Sequence, residues 1–303
     1  MVGRGELTDA AWDRIAPLLP GVDGRGRPWR DHRQVINGGL WLLRTGAPWR
    51  DLPERYGPWQ TAYDRFARWE ADGTWTRLLE QVQVRDDSVG AVEWTVSVDS
   101  TISRAHQHAA GARKKGAATR DELEDPARAT AGQELGRSRG GLTTKVHLAC
   151  DGRGLPLAVV VTPGNVNDST VFGEVMDALR VPRAGSGRPR RKPDAVIADK
   201  AYSSRAIRQS LRRKGIRAVI PERADQKANR VRRGQTGGRP PTFDRELYKA
   251  RNVVERCFDR LKQFRAIATR FDKLATRYKA GVHLASLIHW LREPAQDRLS
   301  DRT

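Results

Sequence analysis

Cysteine is almost absent from this 303-residue chain; Cys150 and Cys257 are the whole complement. Neither has a CxxC neighbour, which excludes a disulfide framework and a zinc ribbon. Long apolar runs are missing too: no stretch approaches the roughly 18 residues of a membrane span. The opening segment "MVGRGELTDAAWDRIAPLLP" has no apolar signal core, and no basic amphipathic anchor accompanies a lipidation signal. The expectation is a soluble, cytoplasmic protein with no membrane partner. Acids are in deficit, 36 Asp and Glu against 56 Lys and Arg, for a formal charge of +20. Such an excess repels itself unless it meets a polyanion, and nucleic acid is the usual one. The plain alternative is a basic surface inflated by GC-rich codons. What the chain does have is apolar substance: 38% hydrophobic residues supports a packed core. The length leaves room for one large domain or two ordinary ones.

Residues 6–85 read as helical. "LTDAAWDRIAPLL" sets Leu7, Trp12, Ile15 and Leu19 near helical spacing behind Thr8, a candidate N-cap. "DHRQVINGGLWLLRTG" follows, with Asp31 as cap and Gly46 as stop. A turn-rich connector, "GAPWRDLPERYGPW", leads to two shorter helices around Gly73. This pattern fits a helix-turn-helix-like DNA reader or a small helical bundle. From Trp94 the periodicity changes. "WTVSVDS" alternates and ends at Asp99; "TTKVHLAC" and "LPLAVVVTPG" flank an Asp151-Gly152 turn as a hairpin. "STVFGEVMDAL" is helical, "AVIADKAY" is a buried strand ending at Asp199, "SRAIRQSLRRKG" is a helix and "IRAVIPE" a strand. The stretch "YKARNVVERCFDRLK" over 248–262 closes the series as one helix.

The order β-β-β-α-β-α-β-α predicts a mixed α/β domain of ribonuclease-H-like type, a mixed sheet with flanking helices, after a small all-α domain. The expected boundaries are 1–90, 91–295 and a tail at 296–303. A mobile excursion is expected over about 105–140 and a basic Gly/Pro loop over about 223–242. The 56 residues between Asp199 and Glu255 hold a helix, a strand and that loop, leaving no room for a large inserted domain.

In this topology the strands that end on Asp99 and Asp199 are neighbours, and Glu255 sits on a helix that packs across the same edge. Three crowded carboxylates favour a bound cation, and Mg²⁺ suits hard oxygen ligands and exchangeable waters. Two ions about 3.5–4 Å apart activate an attacking oxygen and stabilise a leaving one. Singly, each acid has a plainer reading, as a strand end or as an i,i+4 partner of Arg251. The helix over 248–262 also carries Tyr248, Arg251 and Lys262 beside Glu255, apart from its apolar arc of Val253, Val254, Cys257, Phe258 and Leu261.

The spacing Y-(2)-R-(3)-E-(6)-K of these four residues resembles the signature of bacterial insertion-sequence DDE transposases, particularly family five and the related family four. "VDST" and "ADKAY" are similar to the first and second acid motifs of that group, "GLTTKVHLACDGRGLPLAVVVTPGNVND" to the segment between them, and "GAPWRDLP" with "YDRFARWEADGTW" to its N-terminal domain. The resemblance covers about residues 6–290. It implies a ribonuclease-H-like catalytic domain that cleaves and transfers DNA strands with divalent metal, two Mg²⁺ or Mn²⁺ ions held by Asp99, Asp199 and Glu255. It further implies that Tyr248, Arg251 and Lys262 hold terminal phosphates of the element, with Lys200 beside Asp199 as a further DNA contact. Double-stranded DNA, as terminal inverted repeats and as target, is the implied partner, and a homodimer handling two ends at the bacterial nucleoid is the implied assembly. The alternatives are a metal-dependent nuclease on the same fold that never joins ends, and an inactive element-derived DNA-binding regulator.

Weaker signals remain. Arg25-Gly26-Arg27-Pro28 matches the short core of an AT-hook or is a basic linker; Arg44 and Arg50 are further candidate DNA contacts. His106 and His108 lack a third metal ligand at suitable spacing. His147 faces the active-site edge or is a core or surface histidine. Trp49, Trp59, Trp69 and Trp75 read as packing, with base stacking the alternative.

Overall fold

A computed structural model describes residues 5–21, 29–110, 133–138 and 141–292 of the chain. Thr8 caps α1 (Asp9–Ile15), its hydroxyl accepting from the Ala11 amide at 3.2 Å. Asp31 caps α2 (His32–Thr45) through the Arg33 amide at 2.8 Å, and Gly46 ends that helix in the left-handed region, at φ 70°. Two 3₁₀ turns carry the connector. Helix α3 (Trp59–Ala71) then passes through the short Asp72-Gly73 turn into α4 (Thr74–Ser88). Trp69 and Trp75 lie in the core with ring centroids 5.0 Å apart, so both pack inside as the sequence pattern suggests.

The sheet is built around β1 (Thr95–Ala105). β3 (Gly141–Cys150) runs antiparallel to it on one side and β5 (Ala195–Ala198) parallel on the other. β4 (Pro156–Pro163) and the short β2 (Gly136–Ser138) pair with β3, and β6 (Arg217–Val219) pairs with β5. β7 (Thr269–Arg270) lies parallel to the far end of β1. The architecture is therefore a helical region followed by a mixed sheet. The hairpin forms at the expected place. The Asp151 carboxylate accepts from the amides of Arg153 and Leu155 at 3.0 and 2.7 Å, which fixes its loop.

Helices α6 (Asp168–Ala178) and α7 (Arg205–Arg213) appear where the sequence places them. Four local expectations are corrected. β1 does not end at Asp99 but continues to Ala105, because β3 pairs with it as far as Arg104. The basic segment 223–242 is not a plain loop: it forms α8 (Ala224–Arg232) and a 3₁₀ turn over 234–237. The stretch 248–262 is not one uniform helix. Tyr248 closes a short helix α9 (Arg245–Tyr248), residues 249–251 tighten into a 3₁₀ turn, and α10 (Asn252–Lys262) follows. The chain stays right-handed throughout, but the tighter turn rotates Tyr248 relative to an ideal 100° step. Within 105–140, the short α5 (Gln107–Ala110) and β2 are ordered elements; residues 111–132, like the tail and Arg25 and Arg27, lie outside the described residues.

After a short α11 (Arg265–Ala268), the last helix, α12 (Ala275–Arg292), was not legible as an element. It is buried nearly all round, from Tyr278 to Leu291, so it has no amphipathic period to read. It joins the two parts of the chain. One hydrophobic cluster unites Ile15, Leu40, Trp69 and Leu78 of the helical region with Leu284 and Trp290 of α12 and with Val96, Leu148 and Val196 of the sheet. Gln83 from α4 and the indole of Trp290 both donate to the carbonyl of Pro156 on β4, at 3.0 and 2.7 Å.

Candidate active site

The parallel ladder between β1 and β5 ends with the pair Val98–Ala198. Asp99 and Asp199 are the next residue on each strand, so they leave the ladder side by side on strands about 4.8 Å apart. Beyond that point the β5 chain turns into a 3₁₀ segment over 200–202, capped by Asp199 itself through the Ala201 amide at 2.8 Å. The opening so created lies along one edge of β1, between the end of β5 and the start of β7.

Helix α10 covers that opening, and its apolar face of Val254, Cys257 and Leu261 is buried in the core. Arg251, in the 3₁₀ turn before α10, reaches both ways. It donates to Asp99 Oδ2 at 2.9 Å and to Glu255 Oε1 at 2.8 Å. Its guanidinium therefore stands between the partly buried Asp99 and the half-exposed Glu255. Lys262, near the other end of α10, donates to the Thr101 hydroxyl at 2.6 Å and to the Ile102 carbonyl. Asp99 Oδ1 accepts from the Ser100 amide at 2.8 Å.

Burial pushes the Asp99 carboxyl above its usual range, against the Ser100 amide and Arg251, and the charge of Asp199 adds to the upward push. The phenol of Tyr248 is also raised, first by burial and then by Asp199, Asp99 and Glu255, with Arg251 opposing. Its ring packs against Phe243, with centroids 5.1 Å apart, and against the cluster of Ala195, Ile197 and Val219 under the acid edge. Tyr202, three residues past Asp199, is buried with its ring 5.9 Å from that of Phe172, and burial together with Asp168, Asp99 and Asp199 drives its hydroxyl far upward. The motif "ADKAY" contains it, yet nothing in spacing alone separates a tyrosine near the acids from a core one.

A divalent cation would find hard carboxylate oxygens here, and the Arg251 fork already stands as a cation against two of the three acids. That donor chemistry fits Mg²⁺ or Mn²⁺. The cage is not closed as placed: among the described residues no group of three or more His, Cys, Asp or Glu is near enough to hold one ion. Asp99 and Asp199 are pre-arranged by register, whereas Glu255 is tied to Arg251.

The other sequence candidates are dispersed. Lys200 is exposed immediately after Asp199. Arg44 lies in the last turn of α2, and Arg50 sits with its guanidinium 5.8 Å from the Trp59 ring centroid. The rings of His106 and His108 lie with centroids 4.5 Å apart just past β1, with no third ligand among the described residues. His147 is a core residue, fully buried, hydrogen-bonded to Thr162 at 2.8 Å and opposite Ser100 in the ladder.

Two acids delivered in register by parallel strands of a mixed sheet, with a third on a helix crossing them, define the DDE class of DNA-processing enzymes. The comparisons agree. Residues 7–79 match the family described as "Putative transposase of IS4/5 family", and residues 90–288 match "Transposase DDE domain". The chain belongs to the IS4/IS5-family DDE transposases. It is 34% identical to "Putative transposase for insertion sequence element IS6501" of Brucella ovis, over 50% of this chain and 100% of that one. With "Putative transposase for insertion sequence element IS402" of Burkholderia cepacia it shares 36% identity, over 51% of this chain and 65% of that one. An uncharacterized protein y4sN of Sinorhizobium fredii is 40% identical over 36% of this chain and 83% of its own length. No solved structure matches the chain. Membership makes it an enzyme of DNA strand cleavage and transfer, implies a ribonuclease-H-like catalytic fold, and brings the general use of divalent metal by the class. No helix among the described residues is long and apolar enough to cross a membrane.

Proposed function

We propose that this transposase binds the terminal inverted repeats of its own element, hydrolyses a phosphodiester bond at each end, and joins the freed 3′-hydroxyl to target DNA by transesterification. Asp99, Asp199 and Glu255 are the assigned ligands for two Mg²⁺ or Mn²⁺ ions. Metal held there would activate the attacking oxygen and stabilise the leaving one. The remaining work belongs to the chain. Arg251 neutralises Asp99 and Glu255 before DNA arrives, and its planar fork suits a phosphate once it turns from them. Tyr248 offers one hydroxyl to the same phosphate path, and Lys200 a point charge beside Asp199. Lys262 braces α10 against β1 and adds positive charge near Thr101.

In this reading residues 1–90 form the end-recognition domain, helix-turn-helix-like in role, with Arg44, Arg50, Arg25 and Arg27 as DNA contacts. Residues 91–295 form the catalytic domain. Handling two ends together calls for a homodimer, acting at the nucleoid. The register of Asp99 and Asp199, one step beyond the pair Val98–Ala198, carries this reading.

The test is a donor-plus-plasmid joining assay with D99N, D199N and E255Q. Each is expected to lose Mg²⁺-dependent cleavage and joining by at least about a thousandfold, about 4 kcal/mol of barrier, while end binding survives. Full activity in any one would remove that residue from the assignment. Cleavage without joined product by the unaltered chain would leave a nuclease in place of a transposase.

A further inference from the structure

Helix α8 has no core to explain it. Its nine residues bury no side chain, and Val231 is 79% exposed. So short a helix, polar nearly all round, does not persist on propensity alone. Two polar ties hold it. Gln226 accepts from the Ser203 hydroxyl at 2.8 Å and donates to the Ser203 carbonyl at 2.7 Å, and Arg230 pairs with Glu222. Ser203 is buried and lies four residues past Asp199.

The result is a cleft of about 680 Å³ between α7 and α8. Arg205, Arg208 and Arg212 line it from α7 at helical spacing, and Arg230, Arg233 and Arg239 from the other wall. The one carboxylate in its lining, Glu222, is taken by Arg230. Arg208 is turned to the carbonyls of Ile220 and Pro221, which leaves four guanidinium charges, Arg205, Arg212, Arg233 and Arg239, on the cleft without a carboxylate among its lining residues. Arg205 to Arg212 spans about 10 Å of helix at 1.5 Å per residue. A single strand presents its phosphates in succession along its path, and a row of this length is long enough to meet more than one of them. A single small anion would need a tighter cluster; a row of forks suits a polyphosphate backbone.

We propose that the α7–α8 cleft is a second DNA site, separate from the three acids, which grips the phosphodiester backbone of double-stranded DNA running past Asp199. The helix α8 exists to close this grip, and Gln226 sets its distance from the acid site. The identity of the anion rests on the transposase reading; the existence of an anion site does not.

The triple variant R205Q/R212Q/R233Q changes three exposed arginines that have no carboxylate partner among the described residues. Anisotropy of a random-sequence duplex, measured in EDTA across a salt series, reads its effect without any cleavage. The plot of log affinity against log salt is expected to flatten by about 2–3, at about 0.9 per phosphate, with thermal unfolding unchanged. R183Q/R188Q/R191Q, the same charge change elsewhere, is expected to leave the slope nearly unaltered. Equal flattening by both triples, or none by the first, would overturn the site, as would a loss confined to a single-stranded probe. A duplex carrying the element end, and one truncated at the cleavage position, then separate donor flank from target: loss only on the longer duplex assigns the flank, and equal loss on both assigns target DNA. Because no metal is present, failure here is distinct from failure of cleavage.

Discussion

Arg251 acts at the acid edge of β1, and His147 in the core of the neighbouring strand β3. Arg251 bridges Asp99 and Glu255, and lysine cannot reproduce a two-pronged bridge. R251Q leaves the partly buried Asp99 beside Asp199 without its cation, an expected loss of about 1–3 kcal/mol of stability. Added Mg²⁺ should then raise the unfolding temperature of R251Q more than that of the unaltered chain, since the guanidinium no longer competes. Equal shifts in a thermal melt would count against Arg251 as a stand-in cation.

His147 offers a pH test. Burial lowers it to about 4 from 6.5, with Lys145 adding to the drop and Asp168 opposing. A base whose folded value is depressed keeps its full contribution above pH 6.5 and loses it as pH falls from about 6.5 to about 4. At about 1.4 kcal/mol per unit the full loss is about 3–4 kcal/mol. Denaturant titrations at pH 7 and pH 4.5 should show most of that drop in the unaltered chain and a smaller one in H147Q.

Among the elements, the β3–β4 loop and α10 depend on each other. Gly154 has φ 82°, and its carbonyl accepts a hydrogen bond from Arg260 of α10. A Cβ there would meet the Arg260 guanidinium at 2.8 Å and Val253 at 3.1 Å. G154A therefore combines left-handed strain, about 1–2 kcal/mol, with a push on the helix that carries Glu255. The expected outcome is at least about 2 kcal/mol of destabilisation and a fall in cleavage rate, read by chemical unfolding and a strand-nicking assay. The hairpin was visible in the alternation on either side of Asp151. Its contact with α10 was not, because nothing local in either segment refers to the other.

Over the whole molecule, α12 makes the helical region and the sheet share one interior. Trp290 is fully buried and its indole reaches Pro156 on β4. W290A should cost about 3–5 kcal/mol and lower the stability of both parts together. Hydrogen exchange would show protection lost in α4 and in β3 alike; loss confined to either part would mean that the two are energetically separate.

Local chemistry determined much of what this chain is. Caps at Thr8 and Asp31, the stop at Gly46, the alternation before Asp99 and the apolar arc of Val254, Cys257 and Leu261 are read from neighbours within a turn or two. The four residues from Tyr248 to Lys262, with "VDST" and "ADKAY", were enough to point to the family. Tertiary structure alone decided the rest, because it depends on partners distant in sequence. Strand pairing carried β1 past Asp99 and set Asp99 level with Asp199; a 3₁₀ turn re-aimed Tyr248; and Arg251 came to lie between two acids. Helix α12 left no period in the sequence because its surroundings are apolar on nearly every side. Helix α8 hid in a basic stretch because its hold is two polar side chains rather than a buried face.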